Sequence, residues 1–315
     1  MIAAVEMNTP DVRQSPDLHE NDRHTLLNEQ DAAKFAAELP LNHRFRLGST
    51  ITPVQNAYLD RNGYLVFAAV ATPEEAARIV SEVDHVQAQF LAEGRRKAYG
   101  VPLWFGQDEQ GRPYLQRTGF LSMYSDYVRQ FVTDERFEPI RTLIGENARI
   151  GHEEKDGVVF NRYIRTKGSL RPGLAWHTDG LRDAFYGQLP GPMLNVGLHF
   201  ERIRPEDGGL RIIPGSHKQG WRDFLFRKAY FIDNRPDPAE IMVETWPGDL
   251  TVHDGRTWHR VAASQHLGAR SRRQSMYVPY VTGPYQPKTE NSAPAPYLRV
   301  FDLVLRAKAW MAPRQ

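Results

Sequence analysis

Between residues 157 and 281 apolar and polar positions alternate in short runs separated by turns. Residues 158–164, 193–200, 210–213, 241–245, 250–253 and 274–281 each read as a strand. In 193–200 the split is clean: Leu194, Val196, Leu198 and Phe200 fall on one face, Asn195, Gly197 and His199 on the other. Asp207-Gly208-Gly209 and Pro214-Gly215-Ser216-His217 carry turn chemistry. Frequent turns without intervening helices predict an antiparallel sandwich or barrel. Upstream the period changes. Thr72-Pro73-Glu74-Glu75 supplies an N-cap, a proline at the first helical position and a capping box. Ile79, Val83, Val86 and Phe90 then recur at helical spacing as far as Gly94.

The other elements are less regular. Residues 60–63 read as a turn and 64–67 as a strand; 99–106 (YGVPLWFG) read as an aromatic loop. A second helical region covers 125–144, broken at Pro139. Residues 223–232 form an excursion with helical character, and 296–310 a closing helix with Leu298, Phe301, Leu305 and Ala309 on one face. Residues 1–47 are polar and helical only over 31–39. They read as a mobile or loosely docked extension, ahead of a single domain spanning 48–315.

Composition narrows the function classes. The chain is 41% hydrophobic and 25% charged, which fits a soluble globular protein. A net charge of +2 and the lack of a long basic run give no reason to expect a nucleic-acid partner. No run is long and apolar enough to suggest a membrane span, and residues 1–15 carry acids where a secretory signal carries an apolar stretch; a cytoplasmic location is the expectation. The absence of cysteine excludes disulfides, iron–sulfur clusters and thiol nucleophiles. A homo-oligomer is left open.

The candidate chemistry sits in Trp176-His177-Thr178-Asp179-Gly180. On an extended strand His177 and Asp179 point the same way, within reach of one ion. A neutral nitrogen with a hard oxygen suits divalent iron better than zinc. A third ligand, His259, lies downstream, where strands folding back as a sheet bring it to the pair. Two histidines and a carboxylate on one face of a metal form the facial triad of non-haem iron oxygenases.

Several stretches together resemble one family: WHTDG at 176–180, GGLRIIPGSHKQG at 208–220, PGDLTVHDGRTWHRV at 247–261, ARSRRQSMYVPY at 269–280, and DRNGYLVF at 60–67. In order and spacing they resemble the phytanoyl-CoA dioxygenase (PhyH-like) group of iron(II)/2-oxoglutarate-dependent oxygenases, over residues 55–285. The resemblance implies a mainly β fold with flanking helices, a cupin-like double-stranded β-helix or jelly roll. It implies iron(II) on His177, Asp179 and His259, with His253 the rival for the distal place.

It also implies 2-oxoglutarate, whose far carboxylate calls for a planar bidentate donor. Arg270, Arg272 and Arg273 are candidates. Alternation puts Arg270, Arg272, Gln274 and Met276 on one face, and Arg273, Ser275 and Tyr277 on the other. The family's pattern favours Arg272, and Asn161 is a further candidate contact to the co-substrate.

The expected partners are O2 and a small-molecule substrate, which is hydroxylated or oxidised further. Related halogenases lack the carboxylate, so Asp179 argues for hydroxylation. The competing reading is a cupin-like protein that binds a small molecule without turnover. Gly197 stands where relatives often carry a bulky residue, leaving room near the metal or letting His199 lean in. His217 reads as structural. Arg162, Arg165, Arg171, Arg182 and Arg211 fall in segments expected at the mouth, where they could meet an anionic substrate.

Overall fold

In the computed structural model, residues 24–180 and 192–293 are described. The closing helix expected at 296–310, and Arg182, lie outside the described residues. Numbered in chain order, seven strands stand side by side in the larger sheet: β1 (Tyr64–Phe67), β12 (Leu250–Asp254), β9 (Met193–His199), β14 (Arg273–Val281), β7 (Val159–Tyr163), β5 (Pro113–Thr118) and β4 (Trp104–Gln107). An eighth, β6 (Arg149–Ile150), pairs with the end of β14. The smaller sheet holds β11 (Ile241–Met242), β10 (Gly209–Ile212), β13 (His259–Ala262) and β8 (Leu174–His177). β2 (Lys97–Ala98) and β3 (Val101–Pro102) form a separate hairpin. The strands of both sheets pair antiparallel, and the sheets enclose a jelly roll.

The period-2 pattern divides the larger sheet into two faces. Its even positions, among them Phe160, Leu194, Val196, Leu198, Leu250, Val252, Met276 and Val278, face outward into one large apolar core. Helix α3 (Pro73–Ala92) fills that core with Ile79, Val83, Val86 and Phe90, capped at Thr72 as its sequence predicts. The odd positions, including Asn161, Tyr163, Asn195, His199, Ser275 and Tyr277, turn inward to a cavity.

The N-terminal boundary needs correction. Helix α1 (Glu29–Glu38) buries Ala32 and Ala36, and Phe45 is fully buried and bridged to Phe67. Arg44 makes a bidentate pair with Asp249 at 2.6 and 3.1 Å; this carboxylate also accepts from the amides of Ala69 and Trp246. Asp249 is fully buried, so its partner at position 44 belongs to the folded body. Residues 29–47 are therefore docked; residues 1–23 lie outside the described residues.

The expected turn at 60–63 ends a helix that sequence reading missed, α2 (Pro53–Asn62). Thr52 and Gln55 form its capping box, and Gly63 closes it at φ 80°. Its buried residues include Gln55 and Asn62, so no apolar stripe betrays it. The expected aromatic loop at 99–106 contains β3 and all of β4 but its last residue, Gln107. The second helical region is split into α4 (Asp126–Val132), a 3-10 turn (Glu135–Phe137) and α5 (Glu138–Thr142), with Pro139 in the first turn of the last. The excursion starts with α6 (Trp221–Phe226). None of the described helices is long and apolar enough to cross a membrane.

Candidate active site

Strand pairing brings the ligand candidates together. β13 runs antiparallel to β8 with His259 directly opposite His177, and their rings lie 4.1 Å apart between centroids. Asp179 follows the end of β8, in a turn pinned by a 2.8 Å bond from the Gly180 amide to the Gly255 carbonyl. Among the described residues, His177, Asp179 and His259 form a group whose ligand atoms all lie within 4.8 Å of one another.

The donor set fits a divalent metal. His177 Nδ1 is 2.9 Å from the Ala175 carbonyl, and His259 Nδ1 is 2.9 Å from the Thr257 carbonyl. A carbonyl only accepts, so both Nδ1 atoms carry the proton and both Nε2 lone pairs are left for an ion. These Nε2 atoms stand 4.0 and 3.7 Å from the Asp179 carboxylate. A shell with bonds of about 2.1 Å needs donors roughly 3–3.5 Å apart, which small side-chain rotations reach. Burial holds both imidazoles below their ordinary pKa and hence neutral. Burial alone would raise Asp179, yet its carboxyl lies well below the usual range, favoured by the histidines around it and by the hydrogen bond from His253.

His253 is also here, outside that group. It is wholly buried, with Nε2 3.5 Å from Asp179 Oδ2 and its ring 4.5 Å from that of His259. Asn195 donates to the same oxygen at 2.9 Å. His253 therefore stands against the carboxylate and is not part of the three-residue group.

The arginine expectation changes. Arg272 caps a 3-10 turn (Gly268–Ser271) just before β14; its side chain is 58% exposed and lies 3.7 Å from Glu201. It lines no part of the cavity. Arg273, the first residue of β14, points inward and is 5% exposed. Its Nη atoms donate to the carbonyls of Ala262 and Pro172, its Nε has no partner, and no carboxylate forms an ion pair with it among the described residues. Burial lowers its pKa to about 10. Thr245 Oγ1, also buried and unpartnered, opens on the same cavity. A buried cation and a hydroxyl, both with unused hydrogen-bonding capacity, are what a carboxylate requires. Alternation had separated Arg272 from Arg273, and of the two it is Arg273 that faces the cavity.

Residues 59–274 match the phytanoyl-CoA dioxygenase (PhyH) family. The chain belongs to that family. It is 26% identical over 219 residues to a protein of Stutzerimonas stutzeri named as a probable alpha-ketoglutarate-dependent hypophosphite dioxygenase, covering 65% of this chain and 70% of that one. In fold it is similar to HygX of Streptomyces hygroscopicus, solved with nickel and 2-oxoglutarate bound, at 20% identity and a TM-score of 0.53 over 76% of this chain and 90% of that one. The non-haem alpha-ketoglutarate-dependent epimerase SnoN of nogalamycin biosynthesis is similar at 19% identity and a TM-score of 0.53, over 76% and 83%.

Against the family background the remaining expectations can be placed. Asn161 and His199 line the cavity, His199 with its Nε2 3.0 Å from Thr251 Oγ1. The space at Gly197 is taken by the Tyr277 ring, which a Cβ there would meet at 2.5 Å. His217 is structural: its Nε2 bonds the Asp60 carbonyl at the end of α2. Of the surplus arginines, Arg162, Arg165, Arg171 and Arg211 do not themselves line the cavity: Arg162 reaches Asp84 and Gln87 of α3, and Arg171 lies over Trp104, a residue of the cavity wall. Sequence reading missed Arg117, on the cavity wall, because nothing in PYLQRT marks an inward arginine. It also missed Phe231, held at φ 57° in the excursion and stacked 5.0 Å from His177.

Proposed function

We propose that this chain is an iron(II)- and 2-oxoglutarate-dependent dioxygenase in which His177, Asp179 and His259 hold the metal and Arg273 anchors the co-substrate. The enzyme hydroxylates a small-molecule metabolite, or oxidises it further, releasing succinate and CO2. One observation carries the reading: two neutral imidazoles and a carboxylate converge on a cavity that also contains a buried arginine with no carboxylate partner among the described residues. Iron(II) with 2-oxoglutarate supplies the oxygen-activating chemistry, and the protein supplies binding, orientation and exclusion of water. Arg273 and Thr245 hold the far carboxylate, and Asn161 gives a further donor. Phe231 covers His177, and the Thr178–Tyr230 hydroxyl contact of 2.8 Å ties the excursion over the metal-binding turn. The carboxylate of Asp179 fills the position a halide would need, which favours hydroxylation. The same reading puts the enzyme in the cytoplasm, with O2 and a small molecule as its partners.

The test is oxygen-dependent succinate release from 2-oxoglutarate by the iron-loaded protein, followed by a metabolite screen scored by 2-oxoglutarate-dependent mass gain. A protein that binds metabolites but releases no succinate with any of them would leave the non-catalytic cupin-like reading standing.

A further inference from the structure

Arg117 and Asp156 stand on the cavity wall and are unused in the reading above. Arg117, on β5, lies directly across from Asn161 on β7. Its Nη2 donates to Asp156 Oδ2 at 2.8 Å and its Nη1 to Asn161 Oδ1 at 3.1 Å. The two charged side chains are 19% and 12% exposed. Asp156 is itself held firmly: its carbonyl accepts from the Phe120 amide at 3.0 Å, and a Cβ on Gly119 would stand 2.7 Å from that oxygen. Gly157, at φ 62°, lets the chain turn tightly against Phe120.

A guanidinium only donates, so it decides which end of a neighbouring carboxamide is oxygen. With Oδ1 turned to Arg117, the amino end of Asn161 is left for the cavity. Among the described residues that Nδ2 has no hydrogen-bond partner, and Asn161 is 5% exposed and lines the cavity. The Asn161 amide thus turns a donor to the cavity. Its ligand atom must be an acceptor, and 2-oxoglutarate brings four carboxylate oxygens and a keto oxygen.

We propose that Arg117, clamped by Asp156, is a positioning residue that fixes the Asn161 carboxamide with its amino group toward 2-oxoglutarate. The proposal rests on the co-substrate binding in this cavity, as the proposed function has it. Arg273 supplies the charge that attracts the co-substrate; Asn161 supplies direction.

The experiment is a double-mutant cycle read as 2-oxoglutarate affinity, by calorimetry on anaerobic, iron(II)-loaded protein. Asn161→Ala, which loses a hydrogen bond to a charged acceptor, should raise Kd about tenfold or more. Arg117→Met should raise it severalfold, and the double variant should be no worse than Asn161→Ala alone, because the arginine acts only through the amide. Asp156→Asn, which loosens the clamp while keeping the side-chain shape, should weaken binding in the native background and not beside Asn161→Ala; it covers the case in which Arg117→Met fails to fold. Asn161→Asp presents an oxygen to the cavity and should bind worse than Asn161→Ala. Iron affinity should be unchanged throughout. Effects of Arg117→Met and Asn161→Ala that multiply, or native affinity in Asn161→Asp, would overturn the proposal. Arg273→Met separates the two claims: if it leaves Kd untouched, the co-substrate does not bind as proposed and both fall; if it raises Kd while the cycle is multiplicative, only the role of Arg117 falls.

Discussion

The two faces of β14 show how this protein divides its work. Met276 and Val278 point outward and are buried among the residues of α3 and the even positions of neighbouring strands. Arg273, Ser275 and Tyr277 point inward, and each lines the cavity. Beyond Gln274 one face is closed and apolar; the other carries polar atoms with capacity to spare, among them Arg273 Nε. The outer face secures the fold, and the inner face holds unused hydrogen bonds for ligands. Because the strand period is two, a shift of one residue moves a side chain from one role to the other.

Substitutions on the two faces should therefore fail in different ways. The largest expected effect is on the inner side: His259→Ala should abolish metal-dependent turnover while the melting temperature stays within a few degrees. His253→Ala, one layer beneath, should keep the metal. Metal content by atomic absorption, beside a thermal melt, checks both. Metal lost with His253→Ala and kept with His259→Ala would reverse the assignment. On the outer face Leu198→Ala should cost about 2–5 kcal/mol of stability through a buried cavity, measured by denaturant unfolding, and leave 2-oxoglutarate affinity near native.

The strands and α3 were legible in the sequence because their burial follows a simple period. So was the convergence of His177, Asp179 and His259, through spacing and family motif. Three things escaped. Helix α2 buries polar residues, so its apolar pattern is weak. Residues 29–47 are polar overall, yet a few of their side chains, Ala32, Ala36, Arg44 and Phe45, reach inward. Arg272 and Arg273 are neighbours in sequence and differ only in face, which the strand register decides.

The docked N-terminal segment gives the next effect in size. Truncation to residue 48 removes Phe45 and leaves the buried Asp249 without Arg44. An uncompensated buried charge costs about 3–5 kcal/mol, which corresponds to a fall of roughly 5–15 °C in melting temperature. An unchanged melt would show that these contacts add nothing to stability.

A smaller effect is expected with pH. Burial lowers the His199 pKa to about 3, so the folded state resists a proton that the unfolded chain accepts near 6.5. Its contribution to stability is full above pH 6.5 and is lost as pH falls from there toward 3. His199→Asn should flatten that part of the stability–pH curve; an identical slope in the variant would count against the assignment.

The most direct measurement of the division between faces compares two adjacent arginines. 2-Oxoglutarate is titrated, without oxygen, onto iron(II)-loaded native protein, Arg273→Met and Arg272→Met. Losing a desolvated charged contact costs about 2–5 kcal/mol, so Arg273→Met should weaken binding at least about tenfold, while Arg272→Met, on the exposed side, should bind as the native protein does. Native affinity in Arg273→Met together with a large loss in Arg272→Met would contradict the account.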